Sequence, residues 1–317
     1  MMDAATLAGP GDMRVGAHPL PVPGTGQVRV RLEGCGVCAS NIEPYEGQPW
    51  SSFPGEAGGM GHEGWGVVDA VGGGVDRVAV GDRVAMLSGH GFAQYDLCDA
   101  NMLVVLPGGL VGPFPGEPLG CAMNIFRRAD IHAGQHVAIV GIGFLGAVLC
   151  RLATDAGARV IAISRRLSSL DLAKTYGAAE TVPMHDHHGI IERVRDLTGG
   201  AMCERVIEAV GKQWPLDLAG AIVGVGGRLV IAGYHQDGPR QVNMQDWNWK
   251  GIDVVNAHER DPAVQMRGLR EAVEAVASGR IDPAPLYTHR YPLARVGEAI
   301  EATRDKPDGF VKALIEF

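Results

Sequence analysis

The chain has 317 residues, and this length exceeds the usual size of a single hydrophobic core, so we expect two domains. Its 36 acidic and 28 basic residues give a net charge of −8 without a long basic run, which argues against nucleic acid and anionic membrane surfaces as partners. The first residues do not read as a signal peptide, no apolar run is long enough to span a membrane, and six scattered cysteines do not form a disulfide framework, so we expect a cytoplasmic protein.

Short strands separated by glycine-rich turns are predicted between residues 27 and 106. Apolar and polar residues alternate along these strands, which is typical of a compact and mostly antiparallel β unit. The predicted strands are Val28–Leu32, Gly66–Val71, Asp82–Met86 and Met102–Leu106.

Two motifs in this β-rich part carry side chains that can bind a metal ion. The first contains Cys38 and, two residues later, Ser40; the second, 24 residues after Cys38, contains His62 and Glu63. Zinc accepts sulfur, nitrogen and oxygen ligands, and a catalytic zinc site needs only three of them from the protein, which leaves one position for water or substrate. The two motifs therefore predict an open zinc site with a hydroxyl beside it.

From about residue 135 the pattern changes to alternating strands and helices. The strands are short apolar runs, which predicts a parallel sheet with helices on both faces. The predicted elements of this part and of the chain end are the strands His136–Val140, Arg159–Ile163, Glu204–Glu208, Gly227–Ile231, Ile252–Val255 and Val311–Ile315, and the helices Phe144–Gly157, Leu167–Tyr176 and Ala263–Ser278.

A glycine motif follows the first strand of this alternating part and opens the first helix. In that context the first glycine allows a tight turn, the second lets the backbone approach a pyrophosphate, and the third lets helix and strand pack closely. The helix N-terminus adds N–H groups and positive potential. We therefore predict that a dinucleotide is bound by Gly141, Gly143, Phe144, Leu145 and Gly146.

The second strand of the alternating part ends with Ser164, Arg165 and Arg166. An acidic residue at the position of Ser164 would hold the ribose hydroxyls of NAD, whereas a serine does not repel a 2′-phosphate and the arginines can bind one. We therefore predict that these three residues bind the cofactor and that NADP(H) is preferred over NAD(H). The alternative is that the two arginines only solvate a loop.

Together, the motifs around Cys38 and His62, the turn Gly81–Val84, the segment Glu117–Leu119 and the glycine motif resemble the zinc-dependent medium-chain dehydrogenase/reductases of the alcohol dehydrogenase superfamily. Their order and spacing match over nearly the whole chain, and the chain is similar in particular to the polyol and threonine dehydrogenase branch.

The resemblance implies an α/β fold with two domains. A GroES-like β-rich catalytic domain would comprise residues 1–128 and 257–317, and a Rossmann domain with a doubly wound parallel sheet would comprise residues 129–256. It also implies hydride transfer between the nicotinamide cofactor and a small-molecule alcohol or ketone. We expect a homo-oligomer, either a dimer or a tetramer.

The resemblance also implies roles for individual residues in binding one catalytic zinc per chain. Cys38 and His62 occupy the family's thiolate and imidazole ligand positions. Glu63 matches a carboxylate that contacts the zinc either directly or through a neighbouring group. Glu117 matches a further carboxylate that can enter or leave the coordination shell, and Cys121 is a rival for that position.

The surroundings of these ligands depart from the family pattern in three ways. Ser40 matches the hydroxyl that hydrogen-bonds the substrate, but Asn41 follows it where an aspartate is usual, so we expect a neutral partner to orient His62. Glu43 stands where a proton-relay histidine is common; it could relay protons, contact a substrate hydroxyl, or be an exposed loop carboxylate. Residues 87–94 lack the four-cysteine lobe that binds a structural zinc in many relatives, so we expect none.

These observations predict a zinc-dependent oxidoreductase that transfers hydride between NADP(H) and a polyol, a sugar-derived or another secondary alcohol. Two alternatives stay open at the level of sequence. One is a zinc-independent NADPH reductase of the same fold, and the other is a nucleotide-binding protein without catalytic activity.

Overall fold

The computed structural model describes all residues from Met1 to Phe317. The strands are, in chain order, β1 (Met2–Gly9), β2 (Asp12–His18), β3 (Gln27–Val37), β4 (Glu63–Val71), β5 (Arg83–Met86), β6 (Tyr95–Asp99), β7 (Leu103–Val105), β8 (His136–Val140), β9 (Arg159–Ser164), β10 (Glu180–Pro183), β11 (Cys203–Glu208), β12 (Val223–Ile231), β13 (Asp253–Asn256), β14 (His289–Pro292) and β15 (Ala313–Glu316). The α-helices are α1 (Ile42–Glu46), α2 (Gly116–Ala129), α3 (Phe144–Asp155), α4 (Leu167–Thr175), α5 (His187–Leu197), α6 (Gln213–Ile222), α7 (Met244–Lys250), α8 (Pro262–Ala277) and α9 (Val296–Asp305).

The chain divides into two compact units. The β-rich unit consists of Met1–Gly120 and Asp261–Phe317, and the parallel-sheet unit consists of Cys121–Arg260. The first boundary lies within α2, earlier in the chain than the boundary at residue 128 that the sequence suggests. None of the helices combines the length and the hydrophobicity needed to cross a lipid bilayer.

The β-rich unit contains a seven-stranded sheet in the order β14-β15-β3-β4-β5-β7, with β6 also paired to β3. Apart from the parallel pair β14–β15, its neighbouring strands run antiparallel. The central strand β3 continues five residues beyond its predicted end at Leu32, through Gly34 and Gly36, to Val37. Its last residues pair with β4 on one side and with β15 on the other, so three distant parts of the chain meet there.

An antiparallel hairpin, β1–β2, opens the β-rich unit, where the sequence analysis predicted no strand. Ala4, Ala5 and Leu7 of β1 are buried, but β2 is mostly half-buried or exposed. Small alanine side chains make the alternation of apolar and polar residues weak, and this explains why the pattern does not reveal the hairpin.

The parallel-sheet unit has six strands in the order β10-β9-β8-β11-β12-β13, and every neighbouring pair is parallel. Its core includes Ile161, Ile163, Val206 and Leu229, all of which are fully or almost fully buried. The strand order reverses between β8 and β11, which defines a doubly wound sheet. The predicted α/β class, with a β-rich part and a doubly wound parallel sheet, is therefore confirmed.

Candidate active site

Three predicted metal ligands lie together in the β-rich unit. The ligand atoms of Cys38, His62 and Glu63 are all within 4.8 Å of one another. Cys38 directly follows β3, and Glu63 begins β4. Because β3 and β4 are antiparallel neighbours with Gly36 opposite Glu63, their ends bring the three side chains to one place. A thiolate, an imidazole and a carboxylate form a donor set that suits Zn²⁺.

The orientation of His62 is set by a backbone carbonyl. His62 Nδ1 lies 2.8 Å from the carbonyl oxygen of Met60, which can only accept a hydrogen bond, so Nδ1 carries a proton and Nε2 is the ring nitrogen that can bind a metal ion. Asn41 Nδ2 donates to the same carbonyl at 2.8 Å, and Asn41 Oδ1 accepts from the backbone N–H of Cys38 at 3.0 Å. The neutral group that hydrogen-bonds His62 is therefore the Met60 carbonyl and not Asn41, which the sequence suggests; Asn41 holds that carbonyl.

The charge around His62 is negative. Burial lowers the pKa of the imidazole, but a hydrogen bond with Cys38 and the charges of Cys38 and Glu117 outweigh this effect and raise the pKa to about 10. Glu63 acts in the same direction. A buried cluster of anionic groups around an imidazole attracts a cation, and a metal ion bound there would displace the imidazole proton.

A buried ion pair joins Glu63 to Lys312 near the end of the chain. Lys312 Nζ lies 2.6 Å from both carboxylate oxygens and has hydrogen-bond geometry only toward Oε1. Glu63 is fully buried and Lys312 is 5% exposed. Burial lowers the pKa of Lys312, but the negative charges of Glu63 and Cys38 outweigh it, so the pKa is raised and the ammonium stays charged.

The second carboxylate oxygen of Glu63 supports a metal at this position. Glu63 Oε2 is buried but accepts no hydrogen bond, and a Cβ atom added to Gly36 would lie 1.8 Å from it. The Lys312 ammonium lies 2.6 Å from this oxygen but is not aligned for a hydrogen bond, so a cation held by Cys38 and His62 would give Oε2 a directed partner. The residues present therefore fit the zinc that the sequence predicts.

Lys312 is a site residue that the sequence did not predict. The signal was a lysine within the otherwise apolar run Val311–Ile315 of the predicted last strand. A charged side chain in a strand that is buried on both faces needs a partner, but the pattern does not reveal which carboxylate that is.

The other candidate ligands lie outside the three-residue group. Glu117, in the first turn of α2, is half-buried and close enough to raise the pKa of both His62 and Lys312. Cys121 belongs to the parallel-sheet unit and is half-buried. Cys35 is fully buried, and burial raises the pKa of its thiol well above the usual value, as expected for a cysteine that packs near the site without binding metal.

Ser40 and Glu43 lie on consecutive turns directly after Cys38. Ser40 belongs to a 3-10 turn and Glu43 to the first turn of α1. Glu43 is only 8% exposed, and Gln48 Nε2 donates a hydrogen bond to its Oε2 at 2.6 Å. The interpretation of Glu43 as an exposed loop carboxylate is therefore wrong, because the tertiary fold buries it and a neighbouring amide holds it.

The glycine motif stands between β8 and α3, as the sequence predicts. Gly141 has a φ of 103° and a Cβ there would lie 2.4 Å from Val210 Cγ2, whereas a Cβ at Gly146 would lie 2.1 Å from the Gly141 carbonyl oxygen. The space next to Gly143 is open. Phe144 is buried and Leu145 is half-buried. A tight turn, an open middle position and close helix–strand packing are the three features that dinucleotide binding requires.

The residues predicted to bind the 2′-phosphate lie at the end of β9 and directly after it. Ser164, the last residue of the strand, is 6% exposed, Arg165 is exposed and Arg166 is half-buried. No carboxylate occupies the end of β9, so the position that normally selects NAD is neutral and has two guanidinium groups after it.

Similar proteins cover both units. Two family models match the chain: an alcohol dehydrogenase GroES-like domain over residues 24–121 and a zinc-binding dehydrogenase over residues 145–276. Sorbitol dehydrogenase of Gallus gallus is 27% identical over 336 residues, which cover 93% of this chain and 91% of the relative. The 2-dehydro-3-deoxy-L-galactonate 5-dehydrogenase of Pseudoalteromonas atlantica is 26% identical and covers 93% of this chain and 92% of its own.

A solved structure has the same fold over the full length. A Sinorhizobium meliloti protein, described as a zinc-binding dehydrogenase and bound to NADP, has a TM-score of 0.86 and 26% sequence identity to this chain. The match covers 100% of this chain and 99% of the other.

Proposed function

The chain belongs to the zinc-dependent medium-chain dehydrogenase/reductase family, and on this premise we propose that it transfers hydride between NADP(H) and a polyol, a sugar-derived or another secondary alcohol. The proposal rests on one observation: Cys38, His62 and Glu63 lie close enough together to bind a metal ion, in a chain that also has the dinucleotide motif. The names of the two similar dehydrogenases, for sorbitol and for a deoxygalactonate, support a polyhydroxylated substrate.

The proposed site assigns a zinc ion to Cys38 and His62, with Glu63 and Glu117 as the further carboxylates. A zinc ion there would acidify a bound alcohol or polarise a ketone, and the nicotinamide would carry the hydride. Ser40 hydrogen-bonds the substrate hydroxyl and relays its proton as the alcohol is oxidised, because the serine oxygen accepts that proton while it gives its own hydroxyl proton to the next acceptor.

Glu43 is proposed to accept that proton from Ser40 and pass it to solvent. It stands three residues after Ser40, and Gln48 holds one of its oxygens, so the carboxylate has a defined position. A carboxylate can serve as a general base in place of the histidine that is common at this position.

We expect Ser164→Asp to reverse the cofactor preference. A carboxylate at the end of β9 would repel the 2′-phosphate of NADP, and a penalty of about 1.5–3 kcal/mol corresponds to about a tenfold to hundredfold loss of kcat/KM with NADP. The same carboxylate would accept hydrogen bonds from the ribose hydroxyls of NAD. The measurement is kcat/KM with NADP and with NAD. The matched control is Ser278→Asp at an exposed serine of the β-rich unit, which should change neither value; a wild-type preference for NAD would contradict the assignment.

We expect one zinc per chain. The structure contains a single group of three or more histidine, cysteine, aspartate or glutamate side chains arranged to hold a metal ion. Elemental analysis of the purified protein should therefore give a zinc-to-chain ratio of one, and prolonged dialysis against a chelator should abolish turnover. A ratio of two would contradict the absence of a structural zinc, and chelator-resistant turnover would favour the zinc-independent reductase.

The function itself is tested with a substrate panel. Polyols, sugar derivatives, amino alcohols and simple secondary alcohols are incubated with the zinc-loaded protein and NADP, and reduction is followed at the nicotinamide absorbance. We expect turnover with polyhydroxylated secondary alcohols. If no alcohol or ketone exchanges hydride with NADP or NAD, the protein is a nucleotide-binding protein without this activity.

A further inference from the structure

A buried carboxylate ends the fourth strand of the parallel sheet in sequence order, β11. Glu208 is fully buried, and its Oε1 accepts hydrogen bonds from the backbone N–H groups of Val210 at 2.7 Å and Gly211 at 2.8 Å. Its Oε2 lies 3.0 Å from His235 Nε2, on the segment that follows β12. Three donors therefore satisfy a carboxylate that would otherwise be costly to bury.

His235 lies between a carboxylate and a guanidinium group. Arg240 Nε donates to His235 Nδ1 at 2.8 Å, and since a guanidinium has no acceptor, Nδ1 carries no proton and Nε2–H donates to Glu208. Arg240 also pairs with Asp237, whose pKa is lowered to about 2, first by the hydrogen bond from Lys212. Hydrogen bonds therefore form a continuous network that runs through Glu208, His235, Arg240, Asp237 and Lys212.

This chain of contacts ties together the two segments that follow β11 and β12. A Cβ at Gly233 would lie 2.2 Å from the backbone nitrogen of Gly211 and 2.7 Å from Glu208 Oε2, so the two segments touch. The first of them also reaches the dinucleotide motif, because a Cβ at Gly141 would lie 2.4 Å from Val210 Cγ2. The network is therefore adjacent to the pyrophosphate position.

The order of the strands assigns the two halves of a dinucleotide to opposite sides of that position. A dinucleotide lies across the carboxyl ends of the strands where their order reverses, which is between β8 and β11 in this sheet. Ser164 and Arg165 at the end of β9 are the candidates for the adenosine ribose, so the half beyond the pyrophosphate extends over the ends of β11 and β12. The Glu208–His235–Arg240 network lies at these two strand ends.

We propose that Glu208, His235 and Arg240 are positioning residues that hold the segments after β11 and β12 in place for the nicotinamide half of the cofactor. The inference rests on the proposed dinucleotide binding and goes beyond it, because it assigns a task to three side chains that bind neither zinc nor the adenosine half. They would act by fixing the position of the backbone segments that contact the nicotinamide ribose.

The test compares a whole cofactor with its adenosine half. Binding of NADPH and of adenosine 2′,5′-bisphosphate to the full-length protein is measured by calorimetry, together with the NADH and AMP pair, so that the result does not depend on the 2′-phosphate preference. For His235→Leu we expect about a tenfold weaker affinity for NADPH, the equivalent of about 1.4 kcal/mol from a lost hydrogen bond at each end of the imidazole, and unchanged affinity for the half-molecule.

His235→Gln is the rescue variant, because an amide can donate to Glu208 and accept from Arg240 as the neutral imidazole does. It should bind NADPH as the wild type does. His188→Leu, the same substitution at an exposed histidine of α5, is the matched control. If His235→Leu fails to fold, Arg240→Leu removes the other end of the network and should show the same selective loss.

Equal NADPH affinities for His235→Leu and wild type would overturn the proposed network role while leaving the proposed function intact. Equal weakening of NADPH and the half-molecule would also overturn it, since the effect would then be a general loss of the fold. Failure of the wild-type protein to bind any of the four nucleotides would instead contradict the proposed function, and with it this inference.

Discussion

Cys38→Ala is expected to lose its zinc and its turnover while keeping its affinity for NADPH. Zinc binding at four-ligand protein sites has an apparent free energy of about 10–16 kcal/mol, so one lost ligand costs about 2.5–4 kcal/mol, which weakens the affinity by about 60-fold to 700-fold. The remaining imidazole and carboxylate would then hold the metal too weakly to survive dialysis. Zinc content, metal competition and NADPH titration are the measurements.

Cys35→Ala is the matched control for this variant. Cys35 lies three residues earlier, on strand β3, is fully buried, and is not part of the metal group. It should keep one zinc per chain and full turnover, with only a modest loss of stability from the vacated volume. Zinc retention by Cys38→Ala, or zinc loss by Cys35→Ala alone, would show that the thiolate ligand has been assigned to the wrong residue.

Lys312→Met is expected to reduce the free energy of unfolding of the metal-free protein by about 3–5 kcal/mol, because removing one partner of a buried ion pair leaves an uncompensated charge. Glu63 would lose the ammonium that lies 2.6 Å from both of its oxygens. Added zinc should recover part of the loss, since the cation can take over the role of the lysine. Denaturant unfolding with and without zinc is the measurement.

Two variants separate the pair from a general effect of losing a lysine. The double variant Glu63→Gln with Lys312→Met removes both charges and should be more stable than Lys312→Met alone. Lys174→Met removes a surface lysine that pairs with Asp171 at 3.4 Å, and it should change the free energy of unfolding by less than about 0.5 kcal/mol. A Lys312→Met protein as stable as the wild type would mean that the pair contributes little.

The pair also explains how several anionic groups can share one metal site. If Cys38, Glu63 and Glu117 bind the proposed zinc, they bring three negative charges to a divalent cation, and Lys312 would offset the third. Strand β15, which directly follows Lys312, joins the sheet beside β3, so residues near the end of the chain complete the surroundings of ligands near its beginning. Without that strand, Glu63 would be a buried carboxylate with no counter-charge.

The elements that the sequence predicted well are those whose pattern is local. Strand β8 has its predicted bounds, and α3 begins at the predicted Phe144, because a continuous apolar run and a glycine-rich turn are both short-range signals. The hairpin β1–β2 and strand β10 were missed. Their sequences are short or rich in small residues, so their place in a sheet depends on partners elsewhere in the chain.

In the candidate site, too, the residues that the sequence predicted are those with a local signal. The sequence alone predicted Cys38, His62 and Glu63 as candidate ligands from residue type and spacing, and the structure places them together. It also predicted the glycine motif from its position between a strand and a helix. It also suggested the α/β fold class through the change from alternating to continuous apolar strands.

Only the tertiary structure decided which groups surround those residues. The pairing of Lys312 with Glu63 spans 249 positions, and the contact of His235 with Glu208 joins segments from two different strand ends. Asn41 acts through the Met60 carbonyl, and Glu43 is buried against Gln48. Charge pairing and hydrogen bonding depend on distance in space, and strand register sets that distance, so no local pattern in the sequence specifies these partners.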